Sequence, residues 1–209
     1  MSGVLYFHLS PFNFHLSIFN FQFSPFNYPL SIINYQLIMD LIPSFQVDHT
    51  HLQPGIYVSR QDKVGGEKVT TFDIRMTAPN QEPALAPSAI HTIEHIVATY
   101  LRNNAEWKDS IIYWGPMGCL TGNYLIMKGE PTCEQVRQLM IEAFTYLVEY
   151  QDEVPGTTAA TCGNYLLHDL PMAQWEGRRY LDRLKNHFCC EYPGVERPKD
   201  LNGKQFYDA

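Results

Sequence analysis

No run of about 18 apolar residues occurs anywhere in the chain, so no membrane-spanning helix is expected. Cations are outnumbered, with Lys+Arg 15 against Asp+Glu 22 and a formal net charge of -7. That balance argues against a grip on nucleic acid or an anionic membrane, because both require clustered Lys and Arg to neutralise phosphate. Small polar substrates or protein partners fit better. Cysteine is sparse as well: the five lie at 119, 133, 162, 189 and 190, with neither zinc-ribbon spacing nor the rhythm of a disulfide framework. The N-terminus lacks the basic stretch of a secretory signal. A reducing cytoplasm is therefore the expected compartment.

One absence is local. Residues 1–38 contain no Asp, Glu, Lys or Arg, yet they hold Phe7, Phe12, Phe14, Phe19, Phe21, Phe23 and Phe26. Laid out by sevens from Phe7, Phe14, Phe21 and Tyr28, the segment repeats almost unchanged. A coiled coil is excluded despite the heptad, because Pro11, Pro25 and Pro29 would break it and no charged flanking positions exist. An aromatic β-array is one alternative. The preferred expectation is that 1–38 is translated tandem-repeat DNA upstream of a true start at Met39, outside the fold. With 209 residues in all, the rest suits one domain with a sizeable core, placed at 39–188, followed by a polar tail at 189–209.

Within that domain, 55–59 and 68–76 read as strands. The second puts Thr70, Phe72, Ile74 and Met76 on one face and Val69, Thr71, Asp73 and Arg75 on the other. A turn at Gly65-Gly66 joins them. Pro87-Ser88 opens a helix whose buried stripe is Ile93, Ile96, Val97, Tyr100 and Leu101. Short strands follow at 110–114 and 120–127, separated by a tight glycine-rich loop. Thr132 with Gln135 forms a capping-box start for a second helix, ending before Pro155-Gly156. A third helix follows Asp169, with Trp175, Tyr180, Leu181 and Leu184 as packing residues. Strands and helices interspersed without a repeated βαβ rhythm predict an α+β fold, a two-layer sandwich with a mostly antiparallel sheet.

The chemistry concentrates on the first helix. His91 and His95 stand one turn apart, so their imidazoles can converge on one metal ion. Glu94 points to roughly the same side, where a carboxylate could move protons. His-x-x-Glu-His is also the order of the inverzincin peptidases, although those are much larger chains. The best third ligand is Cys162, in Thr161-Cys162-Gly163-Asn164 just before a strand-like 165–168. Two imidazoles and a thiolate suit a soft or borderline metal and leave a fourth position open. Cys119, held among Gly115, Gly118 and Gly122, is either a reactive thiol or a packed side chain, and the residues alone leave both readings standing.

Five motifs, in order, carry a specific resemblance. They are Ser44-Phe45-x-Val47-Asp48-His49, Phe72-Asp73-Ile74-Arg75, His91-Thr92-Ile93-Glu94-His95, Pro116-Met117-Gly118-Cys119-x-Thr121-Gly122, and Cys162-Gly163 through Leu167-His168. Over about residues 40–185 the chain resembles S-ribosylhomocysteine lyase, the LuxS family. The resemblance implies that His91, His95 and Cys162 bind the catalytic metal, that Glu94 and Cys119 are the acid-base pair, and that Ser44, His49 and Arg75 help bind substrate. It implies one Fe2+ per subunit, with Zn2+ or Co2+ as substitutes, and a homodimer with active sites at the interface. It also implies a fold akin to one inverzincin domain. Departures occur at Tyr113-Trp114-Gly115 and at Leu120, where the family often carries an acidic residue with Ile-Ser, and Arg or Gln.

The implied reaction splits the thioether of S-ribosylhomocysteine into homocysteine and a dihydroxypentanedione that cyclises to autoinducer-2. A thioether leaves readily only when a carbonyl stands two carbons away, so the aldehyde must first be walked along the sugar by enediolate shifts. A Lewis-acidic metal and two proton carriers, Glu94 and Cys119, meet that demand. Two rivals stay open at this point. One is a small metal hydrolase using Glu94 to activate water without need of Cys119, and the other is a closed structural zinc site with His168 as fourth ligand.

Overall fold

The computed structural model describes residues 47–193. The heptad segment, Ser44 and residues 194–209 lie outside the described residues. Strands β1 (Gly55–Val64) and β2 (Glu67–Arg75) form a hairpin in which Val64 pairs with Glu67. Gly65 and Gly66 between them take φ of 60° and 93°, the left-handed conformation a two-residue hairpin turn demands. Strands β3 (Ile111–Pro116) and β4 (Gly122–Lys128) complete an antiparallel sheet of order β1-β2-β4-β3. The four strands expected between residues 55 and 127 are present, and β1 runs on to Val64 rather than stopping at 59.

Three helices, α1 (Pro87–Asn103), α2 (Cys133–Glu149) and α3 (Leu170–Asn186), meet the sheet in one apolar cluster. Phe72, Ile74 and Leu125 from the sheet, Ile93, Ile96 and Val97 from α1, and Phe144 and Leu147 from α2 are fully buried in it. Each such side chain removed from water is worth about 1.5–3 kcal/mol. This is the α+β architecture expected. Helix α2 begins with the anticipated capping box, Thr132 Oγ1 accepting from Gln135 N and the Gln135 side chain accepting from Thr132 N. Asp169 caps α3 by accepting from Met172 N at 3.0 Å.

Three details differ from expectation. Trp175 is 49% exposed, because α3 buries the face of Ala173, Gly177, Tyr180, Leu181 and Leu184, and position 175 falls between its rows. Its ring instead lies beneath the Arg179 guanidinium, 4.8 Å away. Residues 165–168 are turn and coil rather than strand: Leu167 N bonds back to Asn164 O, Leu166 is exposed, and no sheet edge pairs with them. Cys189, read as the start of a tail, accepts a hydrogen bond from Ile56 N at 3.0 Å, and Tyr192 stacks on Tyr57 at 4.6 Å.

One close approach positions the polar groups at the end of the sheet. Gly122 pairs with Arg75, and a Cβ there would collide with the Ile74 carbonyl oxygen. Only glycine lets β4 lie against β2 at this point. The preceding loop closes by Leu120 N to Met117 O and Met117 N to Gly122 O, and is sewn to its surroundings by Met76 N to Thr121 O and Leu85 N to Leu120 O. Leu120 takes φ of 58° to make that turn.

Candidate metal centre

Helix α1 carries His91 and His95 on one side, and the loop between α2 and α3 brings Cys162 and His168 to them. One ligand atom from each of the four lies within 4.8 Å of the others. The ring nitrogens are sorted by their partners. His91 Nδ1 lies 2.8 Å from Leu167 O, and His95 Nδ1 lies 2.7 Å from Pro155 O. A carbonyl only accepts, so each imidazole carries its proton on Nδ1 and keeps a lone pair on Nε2. Carbonyl acceptors behind the rings are the usual way a protein sets the tautomer and orientation of metal-binding histidines. Cys162 Sγ stands 3.4 Å from His91 Nε2, close to the roughly 3.6 Å between nitrogen and sulfur in a tetrahedral site built with standard bond lengths. The donors, their spacing and their tautomers therefore fit a divalent ion.

His168 is the fourth member. The Thr92 hydroxyl gives its proton to Ser88 O at 2.8 Å and accepts from Asp169 N at 2.9 Å. Its contact with His168 Nδ1, at 3.2 Å, then has the imidazole as donor. His168 Nε2 is left deprotonated, buried and without a hydrogen-bond partner. Burial, then the neighbouring His91 and His95, pushes this imidazole down to about 4. Glu94, half-buried on the same helix, makes no side-chain hydrogen bond or ion pair among the described residues.

A second polar cluster occupies the ends of β2 and β4. Arg75 NH2 donates to Asp73 Oδ2 at 2.5 Å, while NH1 donates to Thr121 Oγ1 and reaches Cys119 Sγ at 3.8 Å. Both members of the ion pair are buried, at 3% exposure each. Burial pushes the Asp73 carboxyl up against the opposing pull of Arg75. Arg75 itself, which burial alone would push down, is held above its ordinary value by Asp73. Tyr192 lies 3.3 Å from Asp73 Oδ2 through its hydroxyl. Since Arg75 donates to Thr121 Oγ1, the Thr121 proton is available to the Cys119 sulfur 3.0 Å away. Burial works to raise the Cys119 thiol, but the Thr121 hydroxyl, the Thr121 backbone N–H and Arg75 together bring it below its ordinary value.

The structure thus gathers His91, His95 and Cys162 around one point and sets Arg75 against Cys119. His49 lies near enough to Asp73 to favour its ionised form, and its Nδ1 bonds Val47 O. No hydrogen bond or ion pair among the described residues joins Glu94 to Cys119. Sequence reasoning left Asp73, Thr92 and Thr121 without roles. Asp73 was recoverable, since opposite charges two apart on one strand share a face. Thr92 faces the core side of α1 and gave no such signal.

Comparison with known proteins follows the same residues. The chain matches the family described as S-Ribosylhomocysteinase (LuxS) over residues 42–189. It is 60% identical to an S-ribosylhomocysteine lyase of Phocaeicola vulgatus over 149 residues, covering 71% of this chain and 92% of that protein. Identity to the protein of the same name from Porphyromonas gingivalis is 57% over 143 residues, covering 68% and 90%. For that of Clostridium acetobutylicum it is 48% over 148 residues, covering 71% and 94%.

Proposed function

The chain belongs to the S-ribosylhomocysteinase (LuxS) family, and from that membership we propose that it is a lyase. It splits S-ribosylhomocysteine into homocysteine and 4,5-dihydroxypentane-2,3-dione, by metal-assisted isomerisation followed by β-elimination. The observation that carries the reading is the pair of polar centres: three inward-facing donors fit for a metal, and a thiol tuned toward its anion. A peptidase has use for the first and none for the second.

In this reading His91, His95 and Cys162 hold the ion, which when bound supplies Lewis acidity for the charge that develops on sugar oxygens. Cys119, with its acidity raised by Thr121 and Arg75, takes a proton from one carbon of the sugar as base and returns it to the next. Glu94 shuttles protons between the oxygens on the other side. Each shift moves the carbonyl one carbon inward, until it stands two carbons from sulfur. Removal of the proton between them then gives an enolate that expels homocysteine thiolate, which is protonated on release. Ser44, His49 and Arg75 are assigned to substrate binding. Arg75 already spends both terminal nitrogens on Asp73 and Thr121, so its nearest effect falls on Cys119.

The ion in the active form is read as Fe2+, one per subunit, with Zn2+ or Co2+ as substitutes. The choice of Fe2+ comes from the family resemblance, while the mixed imidazole and thiolate donor set suits a borderline divalent ion in general; metal analysis of anaerobically purified protein tests it. The remaining parts of the reading are a cytoplasmic homodimer with active sites at the interface and a product that feeds autoinducer-2 signalling. No helix among the described residues is long and apolar enough to cross a membrane. The catalytic domain is taken to begin at 39, with 1–38 outside it, and to be akin to one inverzincin domain through the shared His-x-x-Glu-His helix; at its other end Cys189 and Tyr192 still pack on it. The family match, which starts at residue 42, supports the N-terminal bound. The decisive assay is incubation of metal-loaded protein with S-ribosylhomocysteine and detection of the released thiol. Absence of thiol overturns the reading.

A further inference from the structure

We propose that His168 is a substrate-binding residue rather than a metal ligand: its Nε2 accepts a hydrogen bond from a sugar hydroxyl beside the centre formed by His91, His95 and Cys162. This rests on the functional reading above and adds a fourth side chain to it.

Ring orientation separates the two roles. An imidazole binds a metal through a lone pair lying in the plane of its ring, so two imidazoles that share an ion must have planes that meet at it. The rings of His91 and His95 are 4.7 Å apart and perpendicular, at 90°, and satisfy this. Those of His91 and His168 are stacked, 4.1 Å apart at 23°. Planes so nearly parallel meet only roughly 10 Å away, far beyond the ~2 Å reach of a metal–nitrogen bond. With His91 held by Leu167 O and His168 held by Thr92, only one of the two can ligate. His91 is the one whose Nε2 faces Cys162 Sγ at 3.4 Å.

What remains for His168 follows from its tautomer. Nδ1 donates to Thr92 Oγ1, and a ring nitrogen buried without an anionic partner is not protonated, so Nε2 can only accept. That nitrogen is buried without a partner, a condition that is unfavourable until a donor arrives. A carbonyl or carboxylate oxygen would meet it lone pair to lone pair, whereas a hydroxyl satisfies it. His168 therefore favours a hydroxyl over a carbonyl at the sugar carbon beside it, a distinction that matters in a reaction that moves a carbonyl along a chain of hydroxyls.

The test uses the full chain loaded with Co2+. His168→Phe keeps a stacked ring and removes the lone pair. The expected result is unchanged cobalt stoichiometry and visible band positions. Titration with S-ribosylhomocysteine, followed through those bands, should need about 10- to 100-fold more substrate for half-saturation. His168→Gln, whose amide oxygen can accept, should recover part of that loss. A folded Phe variant that loses cobalt or shifts its bands before substrate is added makes His168 a ligand and overturns the proposal, as does substrate binding equal to wild type. If the Phe variant does not fold, His168→Gln decides: unchanged bands with weakened binding uphold the proposal, and altered bands or wild-type binding overturn it. Wild-type protein that releases no thiol sinks the functional reading itself. Turnover by wild type together with undiminished binding by the variants sinks only the role of His168.

Discussion

His91 and His95 each give a proton to a backbone carbonyl, whereas Arg75 gives its protons to a carboxylate and a hydroxyl beside a thiol. The first arrangement uses neutral partners on the outside of the rings and leaves lone pairs pointing inward, as a cation requires. The second concentrates positive charge beside sulfur, as a thiolate requires. Their mechanical bases differ too. The histidines ride on a helix and are pinned by two separate loop carbonyls, Leu167 O and Pro155 O. Arg75 is locked within a buried ion pair at the end of a strand. Each cluster can therefore be damaged without the other, and that separability is the sharpest check on the roles given to them.

The largest effect should come from the metal side. Cys162→Ala removes the sulfur donor, and the prediction is loss of bound metal by elemental analysis together with loss of thiol release from S-ribosylhomocysteine. Retained metal with full turnover would remove Cys162 from the centre. Next comes Cys119→Ala, expected to lower turnover by about 100- to 10,000-fold, the usual worth of a positioned proton carrier, while metal content stays at the wild-type value. If metal is lost as well, the two clusters are not independent and the comparison fails.

Arg75→Met acts on stability as well as on chemistry. It leaves the Asp73 carboxylate buried with only the Tyr192 hydroxyl nearby, and stranding one partner of a buried ion pair costs about 3–5 kcal/mol. Urea unfolding measures this, and the double variant Asp73→Asn/Arg75→Met should recover much of the loss. A single variant as stable as wild type would show that the pair contributes nothing to the fold.

The sequence made much of this legible because the signals were local. A three-residue gap between histidines on an amphipathic helix, a Thr-x-x-Gln cap and a Gly-Gly turn each depend on neighbours in the chain. Trp175 was misjudged because aromatic character was read as burial, while the helical rows of α3 pass on either side of it. Residues 165–168 were misjudged because an apolar run was read as a strand although no sheet edge was available to it. The pairing of Leu167 O with His91 and of Thr92 with His168 spans 76 residues in each case, and no local pattern announces contacts at that range. Cys119 lay between. Its loop was visible, but the acidity of its thiol depends on Arg75 arriving from another strand.

The smallest expected effect isolates that last dependence. Thr121→Val preserves shape and leaves the Arg75–Asp73 pair in place, but removes the hydroxyl that passes a proton toward Cys119 sulfur. Because that hydroxyl is the leading influence lowering a thiol that burial otherwise raises, its loss should move the Cys119 titration to higher pH. The rate of iodoacetamide labelling at Cys119 rises as the thiolate forms, so the profile for the variant should lie at higher pH than wild type, with turnover near neutrality reduced in step. The Thr121 backbone N–H and Arg75 still act on the sulfur, so the displacement should be partial. A profile unchanged from wild type would mean that the Thr121 hydroxyl contributes nothing to the acidity of this thiol. Unchanged metal content in the same variant is the control that keeps the two centres distinct.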